Sequence, residues 1–249
     1  RVTTSERDLL NSPAQGLQLY NLTTICFEFF DFGYWHKFKC AYNCGVSTVT
    51  FSYQNKIETY GTVRGANSTC WLDRNIGANA VATAINDTNS YGHLFQWGRG
   101  DDGHQLRNSP VTTVLSNSDI PDHSSFIAVW SQPRDWRTPQ NNNLWQGAYG
   151  MNNPCPVGWR VPTKAEFLEE MATWSQQNSN GAFISNQKFT IAGYRIFSSG
   201  ALNGVGFSGN YWSSTVNLLQ ADFMELADIS ALIHATRKAN AYSIRCIKD

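Results

Sequence analysis

The sequence predicts an α+β domain with long irregular loops, preceded by a short N-terminal helix and hairpin segment. Three observations carry this. The stretch "TKAEFLEEMATW" has a complete amphipathic-helix signature. Several short runs alternate as strands do. Residues 86–153 are polar, rich in Asn, Gly and Trp, and without sustained period. With 249 residues, 41% of them hydrophobic and 13% aromatic, the chain can bury a full core. We divide it into residues 1–40, a display or packing segment, and residues 41–249, the main domain.

The elements follow in order. "TTSERDLL" sets Thr4 or Ser5 ahead of acids, as a short capped helix does, and "SPAQG" ends it. "LQLYNLTTICFEFFDFGYWHKF" reads as a small hairpin, turning near residues 21–24 and again at 31–33. A lone hairpin is marginal in water. The segment is therefore expected to pack on the main domain or on neighbouring copies of the chain. "STVTFSYQ", "ETYGTV" and "CWLDRNIGA" read as strands. In the best helix Thr163 is the N-cap and Glu166 closes the capping box. Phe167, Leu168, Met171 and Trp174 form its apolar stripe. "FTIAGYRI", "YWSST" and "YSIRCIKD" are strands, the first two separated by the glycine-rich turn region "SSGALNGVGFSGN".

Nineteen basic and nineteen acidic residues balance to zero, with no basic run, so nucleic acid and anionic membrane are not expected partners. No apolar run approaches the roughly 20 residues a membrane span needs, so no membrane insertion is expected. The start at Arg1 leaves room for a trimmed leader. The six cysteines, Cys26, Cys40, Cys44, Cys70, Cys155 and Cys246, are widely dispersed. Structural disulfides, buried free thiols and a metal site all stay open at this point, with disulfides the favoured reading and an extracellular or particle-surface setting their implication. Asn21, Asn67 and Asn86 begin N-x-[ST] triplets, which an Asn-rich chain produces by chance.

Candidate chemistry is sparse. The glycines of "GALNGVGFSG" lead into a strand where a phosphate loop would lead into a helix. His36, His93, His104, His123 and His234 show no metal-ligand spacing. Ser213 and Ser214 lack a nucleophile elbow. "GRGDDGH" is better read as a polar turn than as a cation loop. We therefore expect no catalytic residue, no metal, no cofactor and no enzyme activity. One stretch stands out. Between "YWSST" and "YSIRC", the apolar residues Leu218, Leu219, Phe223, Ile229, Leu232 and Ile233 follow neither a strand nor a helix period. If Met224 and Leu226 point into the core, alternation puts Phe223, Glu225 and Ala227 outside. Large apolar groups mixed with acids on an exposed face suit a recognition surface. The competing reading places the same residues in the core.

Six segments occur in order: "CWLDRNIGA", "SYGHLFQWGRGDDG", "NPCPVGWRVPTKAEF", "AGYR", "GNYWSST" and "YSIRCIKD". Together, over residues 44–249, they resemble the Fibrobacter-type major paralogous domain, a branch of the C-type lectin-like fold. "PAQGLQLYNLTTICFEFFDFGYW" is similar to a short module of phage tail-tip and bacterial surface proteins. Members of this branch serve as variable proteins of diversity-generating retroelements, which rewrite adenine-templated codons near the 3′ end of a gene. The resemblance implies a non-enzymatic ligand- or receptor-binding protein on a virion tail or a cell surface. A protein or glycan is its implied ligand, and homo-oligomerisation stays open.

On this resemblance the diversified patch comprises Asn217, Leu218, Leu219, Asp222, Phe223, Glu225, Ala227, Asp228, Ile229, Leu232, His234, Thr236, Asn240 and Ala241. An AAC codon changed at its adenines reaches most of these residue types; Glu225 needs another template codon. The resemblance further implies a disulfide between Cys155 and Cys246. It makes Trp159, Tyr194, Tyr211 and Trp212 core supports. Arg160 and Arg245 become structural residues paired with backbone carbonyls or Asp73. Two departures matter. The carbohydrate-binding calcium motifs of true lectins are absent. The related formylglycine-generating enzymes need a C-terminal cysteine pair, and only Cys246 stands there. The alternatives are such an enzyme, or a structural surface domain without a diversified site.

Overall fold

The computed structural model describes residues 1–24, 26–40 and 42–249, and of Lys39 and Cys40 the backbone alone. It consists mostly of short strands with few helices and divides into two units, Arg1–Ser47 and Thr48–Asp249. The boundary falls at Ser47, beyond the expected residue 40.

In the first unit α1 (Thr4–Asp8) is capped by Thr3, one residue ahead of the expected cap. The Thr3 side chain accepts from Glu6 N while the Glu6 carboxylate accepts from Thr3 N. Three antiparallel strands follow, β1 (Gln18–Asn21), β2 (Cys26–Asp31) and β3 (Tyr34–Cys40). The β2–β3 link is two residues, Phe32 at φ 46° and Gly33 at φ 84°. Positive φ at both gives a turn whose twist matches the flanking strands. Asn21 is fully buried, which removes it as a glycosylation site.

The second unit opens with a hairpin, β4 (Val49–Tyr53) and β5 (Lys56–Tyr60), then β6 (Thr62–Arg64) and β7 (Cys70–Leu72). The long polar stretch holds a short 3-10 turn at Thr88–Ser90 and the two-residue strands β8 (Phe95–Gln96), β9 (Val111–Thr112) and β10 (Phe126–Ile127). It is pinned by donors from its own side chains. Trp97 Nε1 donates to Ser213 O at 2.9 Å, Trp136 Nε1 to Trp97 O at 2.7 Å and Trp145 Nε1 to Asn152 O at 2.9 Å. Buried Gln96 donates to Ile127 O and Ala239 O and accepts from Ile127 N and Arg99. Irregular backbone is tolerated inside because its polar groups find partners.

β11 (Trp159–Arg160) leads into α2 (Lys164–Met171) and α3 (Ser179–Ile184). Thr163 and Glu166 form the capping box at α2. Glu166 also takes Arg160 through both guanidinium nitrogens, at 2.6 and 2.8 Å, and Arg160 reaches Asp249 at 2.8 Å. Of the expected stripe, Phe167, Met171 and Trp174 are buried, whereas Leu168 is exposed because α2 turns that face to solvent.

The remaining strands are β12 (Tyr194–Arg195), β13 (Leu202–Asn203), β14 (Gly209–Asn217), β15 (Gln220–Leu226), β16 (Ala231–Thr236), β17 (Ala241–Tyr242) and β18 (Ile247–Lys248). "FTIAGYRI" forms a strand over Tyr194–Arg195, with a single further bridge from Gly193 to Gly209, and "YSIRCIKD" splits into β17 and β18. Between those two strands Arg245 is buried, donating to Asn75 Oδ1 at 2.9 and 3.1 Å and to the carbonyl of Gln187. Asp73, the other partner considered for Arg245, pairs with Arg74 instead.

Strand β18 sits inside a four-stranded sheet of order β11-β18-β7-β6, and β14-β15-β16 form an antiparallel meander. The main core lies between that meander and α2, with Trp71, Phe167, Met171, Trp174, Phe189, Tyr211, Met224, Leu226 and Ile247. Cys155 and Cys246 are joined, 91 residues apart, tying the β11 approach to the β18 approach. Cys26, Cys44 and Cys70 are also disulfide-bonded. The pairing of Cys40 lies outside the described residues.

A candidate ligand-binding surface

The meander positions the irregular stretch. Tyr211, Met224 and Ile233 lie opposite one another across β14, β15 and β16, and all three belong to the core face. Alternation turns the neighbouring rows to the opposite face: Asn210, Glu225 and Leu232 in one, Trp212, Phe223 and His234 in the next, their β14 members and Phe223 covered and the rest reaching solvent. The main-chain ladder that holds these rows does not depend on side-chain identity.

The exposed residues gather at the two ends of β15 and along β16. At one end the β14–β15 link is Leu218–Leu219, 86% and 59% exposed, with Asn217 beside them. Leu218 has φ 53°, a left-handed conformation that a leucine adopts at a cost. At the other end Asp228 and Ile229 are exposed, Ile229 at 90%. Seven residues of strand set these ends roughly 20 Å apart. Between them Leu232 is 49% exposed, and Glu225 and His234 stand 3.4 Å apart on the outer face. Ala227 and Thr236 are half-buried.

Four residues expected in the patch are buried, and each has a physical reason. Phe223 does face away from Met224, but Tyr242 of β17 covers it with ring centroids 4.7 Å apart, Trp212 flanks it, and only 7% remains exposed. Asp222 shares the core-side row with Met224 and lies 3.5 Å from Lys164 Nζ. Asn240 accepts from Phe197 N and donates to Thr236 Oγ1 and Tyr242 Oη. Ala241 pairs with Arg195 and Gln96 and packs with Leu94, Phe126 and Ala128. These four build the floor beneath the surface. Burial also pushes the Tyr242 phenol well above its ordinary value, so that ring stays neutral.

Beside the hairpin tip lies a cavity of about 260 Å³ lined by Gln132, Pro133 and residues 217–220. Gln140 Nε2 donates to Leu219 O at 3.0 Å and fixes the tip. Next along this face Trp130 is 70% exposed, with its ring edge-on to Phe197. Arg134 and Arg237 lie over the Phe197 ring at 4.8 and 4.9 Å. Sequence reasoning missed these four, because they come from an aperiodic segment and from separate strand ends. The dense aromatic and Arg content of "VWSQPRDW" was the available signal.

The residues weighed for chemistry are occupied elsewhere. Ser213 Oγ donates to Asp222 O and Ser214 Oγ to Pro162 O. In "GRGDDGH", Asp102 accepts from Arg99 at 2.7 Å and binds His104 Nδ1 at 2.6 Å, while His104 Nε2 accepts from Gln96 N. Burial holds His104 down to about 4, so it is neutral and structural. Among the described residues no group of three or more His, Cys, Asp or Glu could hold a metal ion. Among the described residues no helix is long and apolar enough to cross a membrane. A larger cavity, about 470 Å³ by Glu170 and Trp174, is lined by none of the meander residues.

No protein-family model, no curated protein and no solved structure matches the chain.

Proposed function

We propose that this protein is a non-enzymatic recognition protein, a retroelement variable protein on a C-type lectin-like frame, displayed on a virion tail or a cell surface. Its diversified patch is the outer face and both ends of the β14–β15–β16 meander. One observation carries the reading. Leu218, Leu219, Ile229 and Leu232, four large apolar side chains, are exposed, the first three in the links between the paired strands and Leu232 on β16. Such side chains serve a soluble frame poorly but make strong anchors for a partner. The Cys155–Cys246 link supports a frame that tolerates change above it, and its presence suits an oxidising setting. Cys246 is wholly buried in that link, which weighs against a role as an enzymic thiol.

The experiment is genomic. A near-repeat of the gene's 3′ end, differing from it only opposite adenines and lying beside a reverse-transcriptase gene, is the expected finding. Substituted codons should concentrate at Leu218, Leu219, Glu225, Ile229, Leu232 and His234. Absence of that repeat refutes the retroelement origin; a repeat whose differences fall on Tyr211, Met224 and Leu226 refutes the patch.

A further inference from the structure

The Trp130 face has a chemical bias of its own. Arg134 and Arg237 lie over one Phe197 ring, and the Arg134 guanidinium is held there by its Nε contact with Trp130 O at 3.4 Å. Among the described residues neither guanidinium has a carboxylate within ion-pair distance. The nearby acids are engaged, Asp119 by Arg137 at 2.6 Å and Asp135 by Gln140 at 2.8 Å and Lys238 at 3.9 Å. Next to these two arginines stand exposed Trp130 and, past Pro133, the apolar hairpin tip. Tryptophan and arginine together are the residues that dominate protein interfaces.

We propose that this face takes an acidic segment of a partner protein, its carboxylates on Arg134 and Arg237 and a neighbouring apolar side chain against Trp130 and Leu218. The charge selects an anion. The apolar border selects a peptide over a glycan, which would need converging free amides and carboxylates, and Gln140 and Asp135 are already bonded. Two guanidiniums in a chain of zero net charge are too few for a nucleic-acid track. The assignment rests on the meander being a recognition surface, but not on how its sequence arose.

The test is selection of a displayed random peptide library on the immobilised full chain. Selected peptides should carry Asp or Glu beside a large apolar residue. They should lose about tenfold or more in affinity for the Arg134→Gln/Arg237→Gln variant, a loss expected for charge-assisted contacts. They should also bind more weakly as salt rises and fail on Trp130→Ala, with both variants melting as the parent does. Peptides without acids, or binding unchanged by the double substitution, overturn the assignment. Binding that depends on Leu218 and Leu219 alone overturns it while sparing the recognition reading. A selection that yields no binder overturns both.

Discussion

Replacing Phe223 and replacing the exposed leucines and isoleucine should have opposite consequences for stability. Phe223 is 7% exposed, and its ring meets Trp212 at 6.1 Å, Tyr242 at 4.7 Å and His234 at 6.0 Å. Truncating a buried aromatic of this kind costs about 3–5 kcal/mol. For a unit the size of Thr48–Asp249, about 2–4 °C of Tm follows each kcal/mol. Phe223→Ala should therefore melt on the order of 10 °C lower. Leu218, Leu219, Ile229 and Leu232 leave few contacts behind when changed to Ser. Surface substitutions stay within about 0.5 kcal/mol each, with half-exposed Leu232 contributing most. Together the four should cost about 1 kcal/mol, or about 2–4 °C. Calorimetry of the two variants and the parent, at one pH and one concentration, decides. A four-serine variant that melts as low as Phe223→Ala would mean these side chains are core, and the recognition surface would be lost with it.

Three further outcomes follow from the fold. Removing the cross-link with Cys155→Ala and Cys246→Ala frees a loop of 91 residues, which chain entropy values at about 4–5 kcal/mol; urea midpoints should fall accordingly, and an unchanged midpoint would refute a stabilising role. Leu218→Gly should raise Tm, since glycine adopts the left-handed φ of 53° without the roughly 1 kcal/mol penalty a leucine carries; a lower Tm would show that Leu218 packs in the fold. His93 and His104 are both held to about 4, chiefly by burial, against an ordinary 6.5. The unfolded chain then binds more protons, so their contribution is full above 6.5 and is lost as pH falls toward about 4. For fully buried His104 the loss approaches roughly 3 kcal/mol. Melting curves across that range should show the decline, and His104→Gln should flatten it.

Local chemistry was legible in the sequence, and long-range cover was not. The Thr163–Glu166 capping box places α2 because both partners lie within one turn. Alternation through Met224 and Leu226 gives the correct face of β15 because period 2 is a property of the strand itself. What alternation leaves open is whether an outward face meets water. Tyr242 closes over Phe223 from a segment 19 positions on, and no local pattern announces it. Asn240 and Ala241 fail as patch residues for the same cause: their partners, Phe197, Arg195 and Gln96, are remote in the chain. The Trp130 surface assembles from residues 130–134, 197 and 237, so it exists only once the chain has folded.

The position of Ile247–Lys248 has a bearing on synthesis. This strand joins Trp159–Arg160 to Cys70–Leu72, and its neighbour Cys246 completes a bond begun by Cys155. A ribosome that stops anywhere short of these residues releases a chain whose sheet is in two halves and whose Cys155 thiol is unmatched. Truncated products should thus never reach the native state, so that only chains made through this strand fold.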